Sequence, residues 1–460
     1  MEEEKRSSLL IAGTASGSGK TSVMCGLLRA FQKRGKHPAA CKCGPDYIDP
    51  MFHENVLGIP SQNLDLFFCN REQLKRLYAR HSMGRDLTII EGVMGYYDGM
   101  SMEQTKGSSF EIAQTLGIPV VLVIPCRGMG HSVLALLKGY LEYKKDSGIR
   151  AVIFNGISGP AYEKLKPVVE DWLKIHHPSV KVAGYLPQIK DATLKSRHLG
   201  LVLPGELEEL EKRINLLADE VEKCIDLDLL EQIAKEAGTA EKEKEESITK
   251  KKARVAVAKD EAFCFYYKEN LELLERNGCE LISFSPLHDK SFPSDIDGLI
   301  LAGGYPELYA KELSENRMMK EEILERLQKG LPCLAECGGF LYLKEELEGE
   351  DETFYPMVGF LEGKAYKTGK LGRFGYITLQ SKEDTMWLKK GETIRGHEFH
   401  YWDCTNNGDK CIAMKPDGKR KWECMQEKGH TFAGFPHISY VSNPEVVKRF
   451  VGLCMEGRRK

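Results

Sequence analysis

The stretch GTASGSGKTS, residues 13–22, lies between the apolar run SLLIA and the amphipathic run VMCGLLRAFQKRG. A glycine-rich loop between a predicted strand and a predicted helix is typical of a phosphate-binding loop (P-loop), because backbone N–H groups at the helix N-terminus face the anion. Gly17 and Gly19 allow the close approach, Lys20 is expected to reach the β- and γ-phosphates, and the Thr21 hydroxyl is expected to hold Mg²⁺. The stretch therefore predicts a domain that binds ATP and Mg²⁺.

Apolar runs alternate with amphipathic segments on both sides of this loop, among them LTIIEG, PVVLVIP and AVIFNGI. Apolar strands separated by helices predict a mainly parallel sheet that is covered on both faces. Two of the helical runs are expected to end at glycines, one at Gly35 and the other, SVLALLKGYLEYKKDSG, at Gly148. The fold class is therefore α/β, with an N-terminal parallel-sheet domain that carries the phosphate loop.

A charged run without an apolar stripe, GTAEKEKEESITKKK, interrupts the alternation and is typical of a solvated linker. We place the first domain at residues 1–235, the linker at 236–252 and a second α/β domain at 253–460. The second domain begins at ARVAVA and continues to LPCLAECGGFLYL, and FGYITLQ and RGHEFHYWD are predicted late strands. A chain of 460 residues is long enough for two such cores.

The composition, 42% hydrophobic and 29% charged residues, is typical of a globular protein, and the net charge of −3 gives no basic excess for binding nucleic acid. No apolar run approaches the length of a membrane span and no signal segment opens the chain, so we expect a cytoplasmic protein that contacts no membrane. The 14 cysteines are scattered through apolar runs, which favours reduced core thiols. Cys41 and Cys43 lack a second pair at the spacing of a zinc site.

Four carboxylates follow predicted strands. Glu91 ends the run LTIIE, Asp98 follows seven residues later, and Asp46 and Asp49 lie in KCGPDYIDPMFH. Aspartates beside Gly and Pro often only build turns, but Mg²⁺ needs carboxylate oxygens and the phosphate loop is expected at the same sheet edge. Four acids exceed the need of one magnesium, which indicates a second metal or an acidic substrate activated beside the nucleotide.

A nucleophile is predicted in the second domain, where LAECGGFLYL places Cys337 between an apolar strand and a helical run. Such a sharp turn exposes a thiol, and the helix N-terminus is expected to lower its pKa. An oxyanion would need nearby donors, which the backbone N–H groups of Gly338, Gly303 and Gly304 are expected to supply.

The base that partners this cysteine is predicted to be His437 in GFPHISY, with His397 and His400 in GHEFHYW as rivals. The sequence shows no third member of a triad, since the adjacency of Glu336 to the cysteine says little about orientation.

Taken in order, these motifs resemble those of the cobyrinic acid a,c-diamide synthases, glutamine-dependent corrin amidases of cobalamin biosynthesis. The resemblance covers nearly the whole chain and rests on GTASGSGKTS, KCGPDYIDPMFH, EGVMGYYDG, SRHLGLV, LAGGYPELYA, LAECGGFLYL, GRFGYITL, RGHEFHY and PHISYVSNP. It implies an ATP-dependent amide synthetase domain related to dethiobiotin synthetase, joined to a class I-like glutamine amidotransferase domain, and hence a carbon–nitrogen ligase.

The resemblance also implies residue roles: Thr21, Asp46 and Glu91 near magnesium, Asp49 and Asp98 near the activated substrate, Asn155 near the adenine, Cys337 as nucleophile and His437 as base. The chain departs from the family in reading HISY where many relatives have a segment like HLHF, so Ser439 replaces a second histidine. Ala15 replaces the signature lysine of partition-type ATPases, which disfavours a dimeric switch of that kind.

The implied reaction is amidation of the a and c carboxylates of cobyrinic acid through acyl phosphates, with the corrin polyacid, L-glutamine and ATP as small-molecule partners. One alternative is a nickel-sirohydrochlorin a,c-diamide synthase of coenzyme F430 biosynthesis. Another, from a different class, is a P-loop ATPase switch with an inert glutaminase-like domain. The sequence leaves the oligomeric state open, a homodimer included, together with the number of metals.

Overall fold

The computed structural model describes residues 3–101, 104–189, 204–241 and 253–457. The chain divides into two compact units, Met1–Glu245 and Glu246–Lys460, which we call unit 1 and unit 2.

The division falls in the predicted linker 236–252, whose residues 242–252 lie outside the described residues, so the linker stays a prediction. Part of that segment, Thr239–Glu241, forms a short strand. The motif SRHLGLV, residues 196–202, also lies outside the described residues.

The described strands of unit 1 are β1 (Glu3–Lys5), β2 (Ser8–Gly13), β3 (Pro38–Cys43), β4 (Ser61–Leu64), β5 (Leu87–Glu91), β6 (Val120–Pro125), β7 (Ile149–Asn155), β8 (Lys181–Leu186) and β9 (Thr239–Glu241). Seven of them form one parallel sheet in the order β4-β3-β5-β2-β6-β7-β8, while β9 pairs antiparallel with β1. Every residue of β2, β3 and β5 is buried, as expected for a sheet with helices on both faces. The parallel sheet predicted from the sequence is confirmed.

The described helices of unit 1 are α1 (Lys20–Lys33), α2 (Ile48–Asn55), α3 (Arg71–His81), α4 (Ser109–Leu116), α5 (Val133–Glu142), α6 (Gly159–His176), α7 (Pro204–Cys224) and α8 (Leu227–Ala234). Helix α7 packs so closely on α1 that a Cβ added at Gly26 of α1 would lie 2.7 Å from Val221 of α7. In the described part of the chain, no helix combines the length and the apolar character that crossing a membrane requires.

The helix predicted to run to Gly148 ends earlier, at Glu142 of α5, so that prediction is wrong at its C-terminus. The reason lies in the next turn, where side chains take the backbone N–H groups. Asp146 Oδ1 accepts from Gly148 N–H at 3.1 Å and Ser147 Oγ accepts from Ile149 N–H at 3.3 Å. Asp and Ser compete with a helix in this way.

The described strands of unit 2 are β10 (Ala253–Ala258), β11 (Cys279–Phe284), β12 (Gly298–Leu301), β13 (Cys333–Glu336), β14 (Glu346–Glu348), β15 (Phe354–Pro356), β16 (Lys364–Lys367), β17 (Phe374–Ser381), β18 (Thr393–Phe399), β19 (Trp402–Cys404), β20 (Cys411–Met414), β21 (Lys421–Cys424), β22 (Gln426–Lys428), β23 (Thr431–Gly434) and β24 (His437–Ile438). Its described helices are α9 (Lys268–Arg276), α10 (Ala310–Glu315), α11 (Arg317–Gln328), α12 (Gly338–Tyr342) and α13 (Glu445–Gly457).

Three sheets make up unit 2. A mainly parallel sheet has the order β11-β10-β12-β13-β23-β22, with only β22 antiparallel to its neighbour. An antiparallel sheet has the order β21-β20-β17-β18-β24, and a small sheet joins β15, β14, β16 and β19. The predicted late strand FGYITLQ is β17, which pairs with β18. The other predicted late strand, RGHEFHYWD, is not continuous: it divides into the end of β18 and β19, which belong to different sheets.

Candidate functional site

The phosphate loop of unit 1 adopts backbone angles that only glycine accepts easily. Gly17 has φ 76° and Gly19 has φ 90°, both in the left-handed region. A Cβ at Gly19 would lie 2.0 Å from Nδ2 of Asn155, which donates a hydrogen bond to the Ser18 carbonyl at 3.0 Å. Asn155, at the end of β7, therefore braces the loop, and its role near adenine stays a prediction.

Lys20 opens helix α1 and points back over the loop. Its Nζ donates to the carbonyls of Ala15, at 3.0 Å, and of Met94, at 2.6 Å. Burial and the charge of Lys42 lower the pKa of Lys20. Two neutral acceptors thus hold this cation where the sequence predicts phosphate oxygens.

Thr21, on the first turn of α1, meets Glu91, at the carboxyl end of β5. The Thr21 hydroxyl donates to Oε1 of Glu91 at 2.7 Å, and Oε2 of Glu91 is buried without a hydrogen-bond partner among the described residues. Burial and the charge of Asp49 raise the pKa of Glu91 to about 7. A buried oxygen without a partner beside a hydroxyl suits a hard cation such as Mg²⁺.

Lys42, on β3, lies at the centre of this acidic cluster. Its Nζ is 2.9 Å from Glu91 Oε1 and 4.0 Å from Asp46 Oδ2, and it also forms an ion pair with Asp49. Burial disfavours the charged lysine, but the carboxylates together raise its pKa well above the ordinary value. Burial alone would raise the pKa of Asp49, but its ion pair with Lys42 lowers it overall. For Asp46, burial and the negative charge of Asp49 raise the pKa.

The fourth predicted acid, Asp98, is not among the ion-pair partners of Lys42, but its charge acts on Lys20 together with those of Glu91 and Asp49. Asp46, Asp49 and Glu91 surround Lys42, while Oδ2 of Asp98 accepts the N–H of Gly95 at 2.8 Å in the loop after β5. In the residues described, no group of three or more His, Cys, Asp or Glu side chains is arranged to hold a metal. The geometry fits a smaller protein set for magnesium, with water and phosphate supplying the remaining oxygens.

Sequence reasoning missed Lys42. The available signal was a single lysine in an otherwise apolar run, HPAACKCG, since lysine is almost never fully buried unless it is paired.

In unit 2, Cys337 lies on a sharp turn between β13 and α12. Its backbone has φ 45° and ψ −105°, an unusual conformation for a residue other than glycine. The Cys337 N–H donates to the carbonyl of Gly434 at 2.8 Å, which fixes the turn on strand β23. Strain of this kind is typical of a nucleophile held between a strand and a helix.

The loop after β12 brings two glycines beside this turn. A Cβ at Gly338 would lie 3.1 Å from the Gly304 nitrogen, and a Cβ at Gly303 would lie 2.3 Å from Cε1 of His437. One short loop therefore contacts the residue after the cysteine and the ring of the predicted base. The arrangement gathers the predicted nucleophile turn, oxyanion donors and base in one place.

Burial disfavours the charged form of both predicted catalytic groups. Burial raises the pKa of the Cys337 thiol, the carboxylates Glu307 and Glu398 add to this, and only the Gly338 N–H opposes it. The lowered thiol pKa expected from the helix N-terminus is therefore wrong, because desolvation outweighs the effect of the helix N-terminus. Burial lowers the pKa of His437 to about 3, and its interactions with His397 and His400 act in the same direction.

The rival histidines lie on and just after β18, the strand next to His437: His397 is in the strand and His400 follows its last residue. His397 is directly opposite His437 in the ladder, and Nε2 of His400 is 3.7 Å from Oε2 of Glu398. Glu336 does accept the Ile438 N–H at 3.3 Å, which ties the strand before the cysteine to the residue after the base.

Comparison with known proteins matches both units to families. Residues 9–202 match a CobQ/CobB/MinD/ParA nucleotide binding domain, and residues 254–445 match a CobB/CobQ-like glutamine amidotransferase domain. A relative from Caldanaerobacter subterraneus subsp. tengcongensis is 41% identical over 98% of this chain and 99% of its own length, and one from Clostridium tetani is 40% identical over 96% and 98%. Both relatives are named cobyrinate a,c-diamide synthase. These matches confirm the predicted fold class of the two domains.

Proposed function

Because this chain belongs to the family of the cobyrinate a,c-diamide synthases, we propose that it converts the a and c side-chain carboxylates of cobyrinate into carboxamides, in cobalamin biosynthesis, with ATP and glutamine. The chain is an amidating ligase with a nucleotide-binding domain and a glutamine amidotransferase domain. The observation that most supports the proposal is the strained Cys337 turn beside Gly304, because a nucleotide switch with an inert second domain needs no such nucleophile.

Unit 2 would release ammonia from glutamine. The Cys337 sulfur attacks the carboxamide carbon, the thiol proton passes to His437, and the oxyanion accepts hydrogen bonds from Gly304 and Gly338 N–H groups. His437 then gives this proton to the departing nitrogen, the carbon–nitrogen bond breaks, and ammonia leaves. Water hydrolyses the thioester, which returns the thiol and frees glutamate.

Unit 1 would activate the acceptor, because a carboxylate amidated directly would have to expel oxide. A carboxylate oxygen attacks the γ-phosphorus of the nucleotide, ADP departs, and an acyl phosphate forms. Ammonia attacks the acyl carbon and inorganic phosphate leaves. Lys20, on exchanging the carbonyls of Ala15 and Met94 for phosphate oxygens, would neutralise the charge on the transferred group.

The acids of unit 1 would hold the metal and orient the acceptor. Thr21, Glu91 and Asp46 would bind Mg²⁺, which when bound supplies charge neutralisation at the phosphates. Asp49 and Asp98 are proposed to orient the acceptor carboxylate. Lys42 offsets the negative charge of the cluster, so that an anionic acceptor is not repelled from it.

The proposal is tested with Cys337→Ala in purified full-length protein. With ATP, Mg²⁺ and cobyrinate, this variant should form no amide from glutamine, yet it should form amide and ADP when an ammonium salt is added. Cys333→Ala, which removes a buried thiol from β13, the strand that leads to Cys337, should still use glutamine. Amide is measured by mass spectrometry and ADP by a coupled assay.

Two outcomes would overturn the proposal. One is a folded Cys337→Ala variant that has lost both activities, and the other is a wild-type protein that never forms ADP together with a carboxamide. Faster turnover of nickel-sirohydrochlorin than of cobyrinate would assign the other macrocycle.

A further inference from the structure

Unit 2 contains a cavity of about 380 Å³ at one end of its antiparallel sheet. It lies between the start of β17 and the β20–β21 hairpin, and we call it the cationic pocket. Its basic lining residues, beside the indole of Trp422, are Arg373, Lys415, Lys419, Arg420 and Lys421.

None of these five cations forms an ion pair within the described residues. Two lysines that flank strands of the same sheet do form ion pairs: Lys382, after β17, binds Glu423 at 2.6 Å, and Lys410, before β20, binds Glu383. The acids whose charges act on Lys415 are the buried Glu398, whose Oε1 accepts the Trp422 indole N–H at 3.3 Å, and Asp417, in the hairpin turn. The pocket therefore has a surplus of positive charge.

Exposed lysines alone would be an ordinary solvated surface, but two of these cations are withdrawn from water. Lys415 is only 9% exposed, and its Nζ donates to the carbonyl of Phe374. Nη1 of Arg373 is buried without a hydrogen-bond partner in the described structure, and its guanidinium lies 5.3 Å from the Trp422 ring. Burying a donor without an acceptor costs free energy, so an anion in the cavity that accepts a hydrogen bond from Nη1 of Arg373 would remove this cost.

An exposed aromatic strip borders the pocket. Phe374, Phe399 and Tyr401 are 55%, 44% and 47% exposed, and their rings follow one another at centroid distances of 5.6 Å. Phe374 also lines the pocket. Aromatic rings left in water next to several unpaired cations suit a ligand that has both a flat apolar body and several carboxylates.

We propose that the cationic pocket and the aromatic strip bind an organic polycarboxylate with a planar apolar body, and that this ligand is the acid that the enzyme amidates. The identity of the ligand rests on the proposed function, because a corrin acid has this chemistry. Carboxylates of the ligand would pair with Arg373 and Lys415, and its planar body would lie against Phe374 and Phe399. A single carboxylate, such as that of glutamine, would leave most of the pocket's charge unpaired.

The test is a double charge reversal, Lys419→Glu/Arg420→Glu, in the full chain. Binding of cobyrinate is measured by isothermal titration calorimetry at low and high salt, and KM values are measured for cobyrinate and for glutamine. We expect the dissociation constant and the KM for cobyrinate to rise at least tenfold and the wild-type affinity to fall with salt. The matched control Lys290→Glu/Lys311→Glu makes the same charge change at exposed positions of unit 2 and should keep wild-type values.

A second variant, Phe399→Ser, tests the aromatic strip. This variant should weaken the binding of cobyrinate. It should leave unchanged the affinity for propane-1,2,3-tricarboxylate, which has no planar body. Wild-type affinity for cobyrinate in both variants would overturn the inference, and so would a rise in the KM for glutamine alone. The proposed function fails separately, if wild-type protein forms no amide, because binding of cobyrinate can be measured without turnover.

Discussion

The ammonium of Lys42 lies 2.9 Å from Oε1 of Glu91, its direct neighbour across the ladder between β3 and β5. Both side chains are buried, so this pair forms the centre of the acidic cluster of unit 1. A cation supplied by the protein already stands where the sequence alone predicts a metal and substrate.

Replacing Lys42 by methionine should destabilise unit 1 strongly. The change keeps the length of the side chain but leaves Asp49 and Glu91 as buried acids without their cation, which costs about 3–5 kcal/mol. Thermal unfolding with and without Mg²⁺ measures this, and Mg²⁺ should recover part of the loss. The control Lys33→Met removes the exposed ion pair with Asp219 and should cost no more than about 1 kcal/mol. Equal losses in the two variants would contradict the role of Lys42.

Gly303→Ala should abolish glutamine hydrolysis while amidation with added ammonium continues. The new methyl group would lie 2.3 Å from Cε1 of His437 and would displace the ring, and misplacement of about 1 Å costs about 10²-fold in rate. Glutamate release by the full chain is the measurement. Gly452→Ala, in α13 with nothing near the added methyl group, should leave glutamate release unchanged. Wild-type glutaminase activity in Gly303→Ala would show that the ring does not act from this position.

The pH profile of the glutaminase should lack the acid limb of an ordinary histidine. His437 is active as a neutral base, and its pKa is lowered from the usual 6.5 to about 3, so protonation does not remove the base above about pH 5. The acid side of kcat/KM for glutamine, which reports groups of the free enzyme, measures this. A limb near pH 6.5 would contradict the prediction, provided that the protein remains folded there by circular dichroism.

Glu336 should make the protein less stable as pH rises. Burial raises its pKa from 4.5 to about 8, so between these values the native state keeps a proton that the unfolded state has lost. Stability is then lost with rising pH, by about 1.4 kcal/mol for each pH unit in that range. Glu336→Gln, which keeps an acceptor for the Ile438 N–H, should flatten the slope of the denaturation midpoint between pH 5 and pH 8. An unchanged slope in Glu336→Gln would show that Glu336 is not the group responsible for the loss of stability with rising pH.

Local patterns were sufficient to predict the phosphate loop and the cysteine turn, because each depends on glycines and a helix start within ten residues. The pKa of Cys337 was not predictable in this way, since burial by distant segments outweighs the local helix N-terminus. The lysine among the acids was missed for a related reason. Lys42 and Glu91 are 49 residues apart, and only the register of β3 against β5 makes them neighbours.

The cationic pocket was also beyond the reach of motif reasoning. GRFGYITL is one of the family motifs, but its Arg373 becomes part of a pocket only because the hairpin that carries Lys415 and Trp422 folds beside it. Four of its cations do form a basic run, KPDGKRK at 415–421, but the sequence does not show that this run folds beside Arg373 and the aromatic strip.

The contact of α7 with α1 at Gly26 bears on the nucleotide site, because α1 carries Lys20 and Thr21 on its first turn. Arg34, at the other end of α1, bonds Glu222 of α7 across 188 residues of sequence. The orientation of the P-loop lysine is thus maintained by a helix near the end of unit 1. A fragment that ends after β8 would keep every nucleotide-binding motif but would lack α7, the helix that holds α1 and its Lys20 in position.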